Sequence, residues 1–288
     1  MAEALIGMAC ALIRSIPEMR GKKRLSRFML RILRQDGPLV VIDRFGNTMT
    51  LPSPRESIAE AIFGSGVYQY ETILAALRRL PPNGTYVDVG ANVGAIGLPI
   101  ARMRPDAVIV CIEASEEIAA VLRENVKRNG LANVTVIEVI AGPRDSEEVA
   151  FYPAPKELFG MGSIGPQFGS AGVRLRQQRL DDLLDELGIS TVHVVKMDVE
   201  GAELGVLQGF ASRLQAARPP AVILEFCDWA ENRIEGQVAG DAQRCLQAYG
   251  YHLFHLRADG SRGAPIESPL TSGVFDLLAE HPAGWCAP

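Results

Sequence analysis

The sequence predicts an α/β protein with a mostly parallel, doubly wound sheet, an antiparallel last strand and an N-terminal helical and hairpin extension. Three observations point there. From Thr85 onward, short apolar runs rich in β-branched residues alternate with helical stretches, the pattern of a parallel sheet covered on both faces. The first run, residues 86–89, leads into the glycine turn Gly90-Ala-Asn-Val-Gly94. The second, residues 108–112, stops at an acid, Glu113.

Residues 1–80 are expected to form the extension, and residues 81–288 the main domain. The apolar start, Ala4 to Ile13, is too short to span a bilayer and has no basic residue before it, so it makes a poor secretory signal. A basic run follows: Arg20, Lys22, Lys23, Arg24 and Arg27, then Arg31 and Arg34 among Phe28, Leu30, Ile32 and Leu33. Three readings stay open: a helix packed on its own domain with solvated charges, a helix on an anionic membrane surface, or a contact within a homo-oligomer. Residues 39–42 and 48–51 flank Asp43-Arg-Phe-Gly46-Asn47 and read as a hairpin ending at Pro52. Helices over 56–63 and 70–80 lead to the breaker Pro81-Pro-Asn-Gly84 and the first sheet strand.

The expected strands are 86–89, 108–112, 134–139, 192–197 and 221–226, with helices over 94–103, 115–129, 180–187 and 202–214. Right-handed crossovers put the strand carboxyl ends on one edge, and ligands of such folds bind where the strand order reverses. Residues 151–178, rich in Gly and Pro, read as a long loop, either a mobile substrate lid or a plain surface loop. Residues 251–256 and 272–278 read as a closing antiparallel pair. On such a strand His252 and His255 face opposite sides and make a poor metal pair.

Composition narrows the class. With 48% hydrophobic and 22% charged residues, the chain has the make-up of a soluble globular protein. A net charge of −5 gives no general drive toward nucleic acid. Cys10, Cys111, Cys227, Cys245 and Cys286 are scattered without a CxxC pair, so neither a zinc site nor a disulfide framework is indicated, and a reducing cytoplasm fits.

The glycine turn carries the binding chemistry. Gly90 and Gly94 let the backbone turn tightly and approach a ligand, and the N–H groups of the next helix can receive an anion. Asp88, at the strand end, can hold an ammonium. That pairing suits the methionine part of S-adenosylmethionine. Glu113 follows Asp88 at the spacing of an acid that accepts ribose hydroxyls. Asp88, Gly90, Asn92, Gly94 and Glu113 are therefore the expected cofactor-binding residues. A dinucleotide is the rival ligand, although the turn lacks GxGxxG spacing and no Tyr-x-x-x-Lys pair appears.

These motifs, with Leu122-Arg-Glu-Asn-Val-Lys-Arg-Asn-Gly130, Arg179-Leu-Asp-Asp-Leu-Leu, Lys196-Met-Asp-Val-Glu-Gly-Ala-Glu203 and Leu224-Glu-Phe, resemble the FkbM-type S-adenosylmethionine-dependent methyltransferases over about residues 66–254. The resemblance implies a Rossmann-like class I methyltransferase fold with S-adenosylmethionine as cofactor. It also implies an approach region beside the cofactor, where Tyr70 and Glu71 become candidates. Ala114 departs from the pattern, since many members carry proline there, next to the expected ribose site.

Methylating a hydroxyl requires a base or a Lewis acid, because the hydroxyl is weakly acidic. Lys196, Asp198 and Glu200, clustered at the end of the fourth strand, are the catalytic candidates. Glu225 ends the fifth strand next to them. One scheme has Asp198 and Glu225 ligate magnesium; the other is metal-free, with Asp198 or Glu200 as base and Lys196 orienting the acceptor. The expected reaction is O-methylation of a sugar, glycan or secondary metabolite. A nicotinamide-dependent oxidoreductase and a non-catalytic nucleoside-binding module are the alternatives.

Overall fold

In the computed structural model, which describes residues 2–17, 21–32, 37–145, 148–169 and 171–285, the chain opens with helices α1 (Ala2–Ser15) and α2 (Lys22–Ile32). Arg20, Leu33, Arg34 and Cys286 lie outside the described residues. The expected hairpin follows as β1 (Leu39–Ile42) and β2 (Thr48–Leu51). Asp43 ties its turn by accepting the N–H groups of Phe45 and Asn47 at 2.8 and 2.7 Å, the local bonding that suits aspartate to turns. Helix α3 (Ser57–Ser65) is capped by the Glu56 carboxylate, which accepts the Ile58 N–H, and stops at Gly66 in the left-handed region. Helix α4 (Tyr70–Arg79) then leads into β3 (Thr85–Val89).

The alternation continues with α5 (Gly97–Met103), β4 (Val108–Glu113), α6 (Glu116–Arg128) and β5 (Val134–Glu138). Short strands β6 (Ile140–Ala141), β7 (Glu148–Phe151) and β8 (Val173–Gln178) come next, then α7 (Leu180–Glu186), β9 (Val194–Met197), α8 (Glu203–Gly209) and α9 (Ala211–Leu214). The chain ends with β10 (Ala221–Cys227), α10 (Asp228–Glu231), α11 (Asp241–Ala248), β11 (His252–Leu256), β12 (Arg262–Ile266) and β13 (Val274–Glu280).

The central sheet has the order β12-β11-β13-β10-β9-β3-β4-β5. β5, β4, β3, β9 and β10 run parallel, and β13 inserts antiparallel between β10 and β11. The doubly wound sheet with an antiparallel last strand is thus present. Its order reverses between β3 and β9, whose carboxyl ends open the crevice in which ligands of this fold class bind. Each face has its own apolar cluster. One holds Val87, Val89, Met197, Leu207 and Phe210. The other joins Tyr86, Ile96 and Leu98 to Ile6, Ile13, Leu30 and Met49, so α1, α2 and the hairpin share a core with the sheet.

Three details differ from the sequence reading. The helix expected over 202–214 breaks after Gly209, where a Cβ would lie 2.1 Å from the Gly142 carbonyl oxygen. Residues 151–178 are not a plain loop, because β8 pairs antiparallel with β7 and parallel with β6. The closing pair is a trio, with β12 added beyond β11. Among the described residues no helix is long and apolar enough to cross a membrane.

Candidate active site

Side chains alternate across a strand, so Tyr86 and Asp88 share a face, as do Val194 and Lys196 and, on the next strand, Ile223 and Glu225. Where the strands end, charge replaces the apolar residues of that face. Asp88 stands directly opposite Lys196 across β3 and β9, and Glu225 opposite Asp276 across β10 and β13. The Lys196 Nζ lies 3.2 Å from Asp88 Oδ1 and 3.7 Å from Asp198 Oδ2, and donates to the Gly90 carbonyl at 2.9 Å. The Gly90 contact is a hydrogen bond, while Asp88 and Asp198 are ion-pair partners of the ammonium. Burial works against the ammonium, but Asp88 and Asp198 outweigh it and hold Lys196 well above the ordinary lysine value. Burial raises Asp88 above the usual carboxylate range despite Lys196.

Gly90 brings the two strand ends together. It sits at φ 73°, and a Cβ there would lie 1.9 Å from the Asp198 carbonyl oxygen, so only glycine fits. The next turn residue, Asn92, is left-handed at φ 50° and donates its N–H to Glu113 Oε2 at 2.9 Å. Glu113 Oε1 accepts the Ser115 N–H at 2.9 Å, so the carboxylate is fixed by two backbone donors. Burial raises its pKa, with those donors opposing.

Two cavities flank this turn. The first lies between Gly90, Asn92, Glu113, Ile140, Phe159 and Asp198. The second is lined by Glu56, Tyr68, Lys196, Glu200, Glu225 and Trp229. The two share Gly90, Asn92, Gly160 and Asp198, so Asp198 stands at their seam.

Asp198, Glu200 and Glu225 each place a carboxylate oxygen within 4.8 Å of the others. Glu200 has φ 54°, a left-handed position costly for any residue with a Cβ and held by its surroundings. After it Gly201, at φ 100°, passes so close to α10 that a Cβ would lie 2.3 Å from the Ala230 carbonyl oxygen. The Ser163 hydroxyl donates to the Glu200 carbonyl at 2.9 Å, which ties residues 159–165 over the site. Burial, then Asp198, pushes Glu200 up to about 7. Burial, then Asp198 and Glu200, pushes Glu225 up to about 9, and burial with Asp198 pushes Asp276 to about 6. Like charges are crowded here with one buried lysine among them.

Residues 88–253 match the model of the Methyltransferase FkbM domain, more than half of the chain. The chain belongs to the FkbM methyltransferase family. A stretch of 236 residues is 26% identical to the AMB antimetabolite synthetase AmbE of Pseudomonas aeruginosa, covering 70% of this chain but only 11% of AmbE. Similarity to the 2-O-methyltransferase NoeI of Sinorhizobium fredii is 27% identity over 172 residues, 54% of this chain and 68% of NoeI. The 31-O-demethyl-FK506 methyltransferase FkbM of Streptomyces tacrolimicus is 25% identical over 234 residues, 71% of this chain and 84% of that protein.

Within this FkbM-family chain the expected cofactor residues divide. Gly90, Asn92 and Glu113 line the first cavity. Asp88 is 0% exposed and lines neither; it lies beneath the turn against Lys196. Gly94, at φ 89°, serves packing, since a Cβ there would lie 2.3 Å from Leu98 Cδ1. Tyr70 and Glu71 also line neither cavity. The Arg44 guanidinium sits 4.8 Å over the Tyr70 ring, and the Glu71 charge acts on Asp276. Lys196, Asp198, Glu200 and Glu225 all reach the second cavity.

Sequence reasoning passed over Tyr68, Glu56 and Asp276. Tyr68, two residues before the expected candidate, is the tyrosine that lines the second cavity, with its phenol pushed up by burial and by Asp198. Glu56 was legible only as a helix start. For Asp276 there was a signal: an acid inside the apolar run Val274-Phe-Asp-Leu-Leu278 needs a reason.

Proposed function

We propose that the chain transfers the methyl group of S-adenosylmethionine to a hydroxyl of a small-molecule or saccharide acceptor. The meeting of two cavities at Gly90, Asn92, Gly160 and Asp198 carries this reading, because in-line displacement needs donor and acceptor on either side of one point. The cofactor occupies the first cavity, with its ribose hydroxyls donating to Glu113 and the Gly90–Asn92 backbone closing over it. The acceptor occupies the second, its hydroxyl beside Asp198. The acceptor oxygen attacks the methyl carbon, the carbon–sulfur bond breaks, and the hydroxyl proton passes to the Asp198 carboxylate.

The neighbours divide the remaining work. Held by its ion pair with Asp88 and its hydrogen bond to Gly90, Lys196 stands 3.7 Å from Asp198 and positions that carboxylate by its charge. Glu225, near 9, keeps its proton at neutral pH and can donate a hydrogen bond to an acceptor oxygen. Glu200, near 7, can pass a proton onward to solvent. The names of NoeI and of FkbM, which refer to oxygen methylation, support a hydroxyl acceptor. The acidic lining supports a small acceptor over nucleic acid, whose phosphates it would repel.

A second scheme is favoured by one observation, the approach of Asp198, Glu200 and Glu225 to within 4.8 Å. Hard oxygen donors crowded enough to raise one another's pKa suit a divalent cation, and these three residues would hold magnesium. Such an ion supplies Lewis-acid polarisation of an acceptor oxygen. Labelled S-adenosylmethionine, screened against hydroxylated acceptors with magnesium and with chelator, tests both schemes. Label on an acceptor oxygen supports transfer, and its loss with chelator selects the metal scheme. Tighter binding of NAD than of S-adenosylmethionine in calorimetry would overturn the proposal.

A further inference from the structure

Helices α1 and α2 pack on each other and on α3, yet each turns an apolar row to solvent. On α1, Ile6, Cys10 and Ile13 are buried, while Leu5, Met8 and Leu12 stand 55–70% exposed. On α2, Leu30 is buried, while Leu25, Phe28 and Ile32 stand 41–62% exposed. Spacings of three, four and seven residues put each exposed trio on one side of its helix. Six large apolar side chains on two adjacent helices are more than the single exposed residues normal for a protein surface. Lys23, Arg24, Arg27 and Arg31 are exposed on the same helix as the second trio. Between Met19 and Arg34 the sequence holds seven basic residues and no acidic one, in a chain of net charge −5.

We propose that the exposed face of α1 and α2 docks on an anionic lipid surface. Charge decides the occupant. A symmetric contact with a second copy would bring two basic rows together, whereas an anionic bilayer neutralises the row and takes up the apolar side chains beside it. Its position gives the docking a use. Arg27 pairs with Glu60 at 2.8 Å and lines the second cavity, so the helix that carries the second apolar trio also reaches that cavity's rim. A docked chain opens its acceptor cavity beside the lipid, where amphipathic acceptors collect. This last consequence rests on the function proposed above; the docking does not, so vesicle binding and methyl transfer can fail independently.

The test is flotation of the full chain with vesicles of phosphatidylcholine alone or mixed with phosphatidylglycerol. The chain should float with the mixed vesicles and not the neutral ones. High salt, or the combined change Lys23→Glu, Arg24→Glu and Arg31→Glu, should weaken binding about tenfold or more, with circular dichroism unchanged. Added emission from Phe28→Trp should shift to the blue with anionic vesicles only. Equal flotation with both vesicles, or with neither, would overturn the proposal. So would a concentration-dependent dimer that shifts the Phe28→Trp emission without lipid.

Discussion

Lys196 and Asp88 face each other across the β3–β9 pair, with Nζ and Oδ1 3.2 Å apart, at the point where the strand order of the sheet reverses. The pair is buried, Lys196 donates to the Gly90 carbonyl, and Asp198 Oδ2 stands 3.7 Å from its Nζ. A structural ion pair therefore carries the position of the residues at the cavity seam.

Removing one partner should expose that dependence. Lys196→Met leaves Asp88 buried without a cation, which costs about 3–5 kcal/mol for a broken buried pair. Urea unfolding should show this loss, and Asp88→Asn combined with Lys196→Met should lose less than the two single changes added together. A loss in the double variant equal to the sum of the two single losses would mean that the pair is not coupled.

Gly90→Ala should be more damaging than its size suggests. The added methyl would meet the Asp198 carbonyl oxygen at 1.9 Å, so β3 and β9 must part at the seam. The variant should lose cofactor binding in calorimetry even where circular dichroism shows it folded. Binding at the parent's affinity would show that the turn relaxes freely.

Glu113→Ala should weaken S-adenosylmethionine binding about tenfold or more, the loss of two hydrogen bonds to a charged acceptor. The parent carboxylate also accepts the Asn92 and Ser115 N–H groups, so Glu113→Gln should recover only part of the affinity. Unchanged affinity in calorimetry would remove Glu113 from the cofactor site.

Much of this arrangement was legible in the sequence because buried parallel strands read as apolar runs, and an acid or a lysine at the end of such a run needs a partner. That rule found Asp88, Glu113, Lys196, Asp198 and Glu225. It did not separate Asp88, sealed under the turn, from Asp198 at the seam, because burial depth depends on what packs above a strand end. β8 escaped because Arg174 and Arg176 interrupt its apolar residues, and β12 because Arg262-Gly-Ala-Pro-Ile266 offers few strand formers. The pairing of Glu225 with Asp276 was illegible for another reason: their register depends on an insertion of β13 that no local pattern encodes.

The crowded acids give a pH dependence of definite sign. Glu225 moves from an ordinary 4.5 to about 9 on folding, so between those values the folded chain binds more protons than the unfolded one. Its contribution is fully present below about 4.5 and is lost as pH rises through about 9. Glu200, near 7, and Asp276, near 6, act in the same direction. The Tm should therefore fall from pH 6 to pH 9. Glu225→Gln, uncharged throughout, should raise Tm at the alkaline end by about 2–4 °C, the shift expected from about 1 kcal/mol in a chain of this size. A Tm that rises with pH over this window would contradict the sign.

In the proposed reaction Asp198, at the seam of the two cavities, acts at the chemical step. Asp198→Asn keeps the shape and removes the charge, so the decisive measurement is its chemistry-limited turnover beside its affinity for S-adenosylmethionine. Turnover should fall about a hundredfold or more, the usual scale for a positioned base, while affinity stays within about twofold. Near-parent turnover in Asp198→Asn would remove this carboxylate from the chemical step.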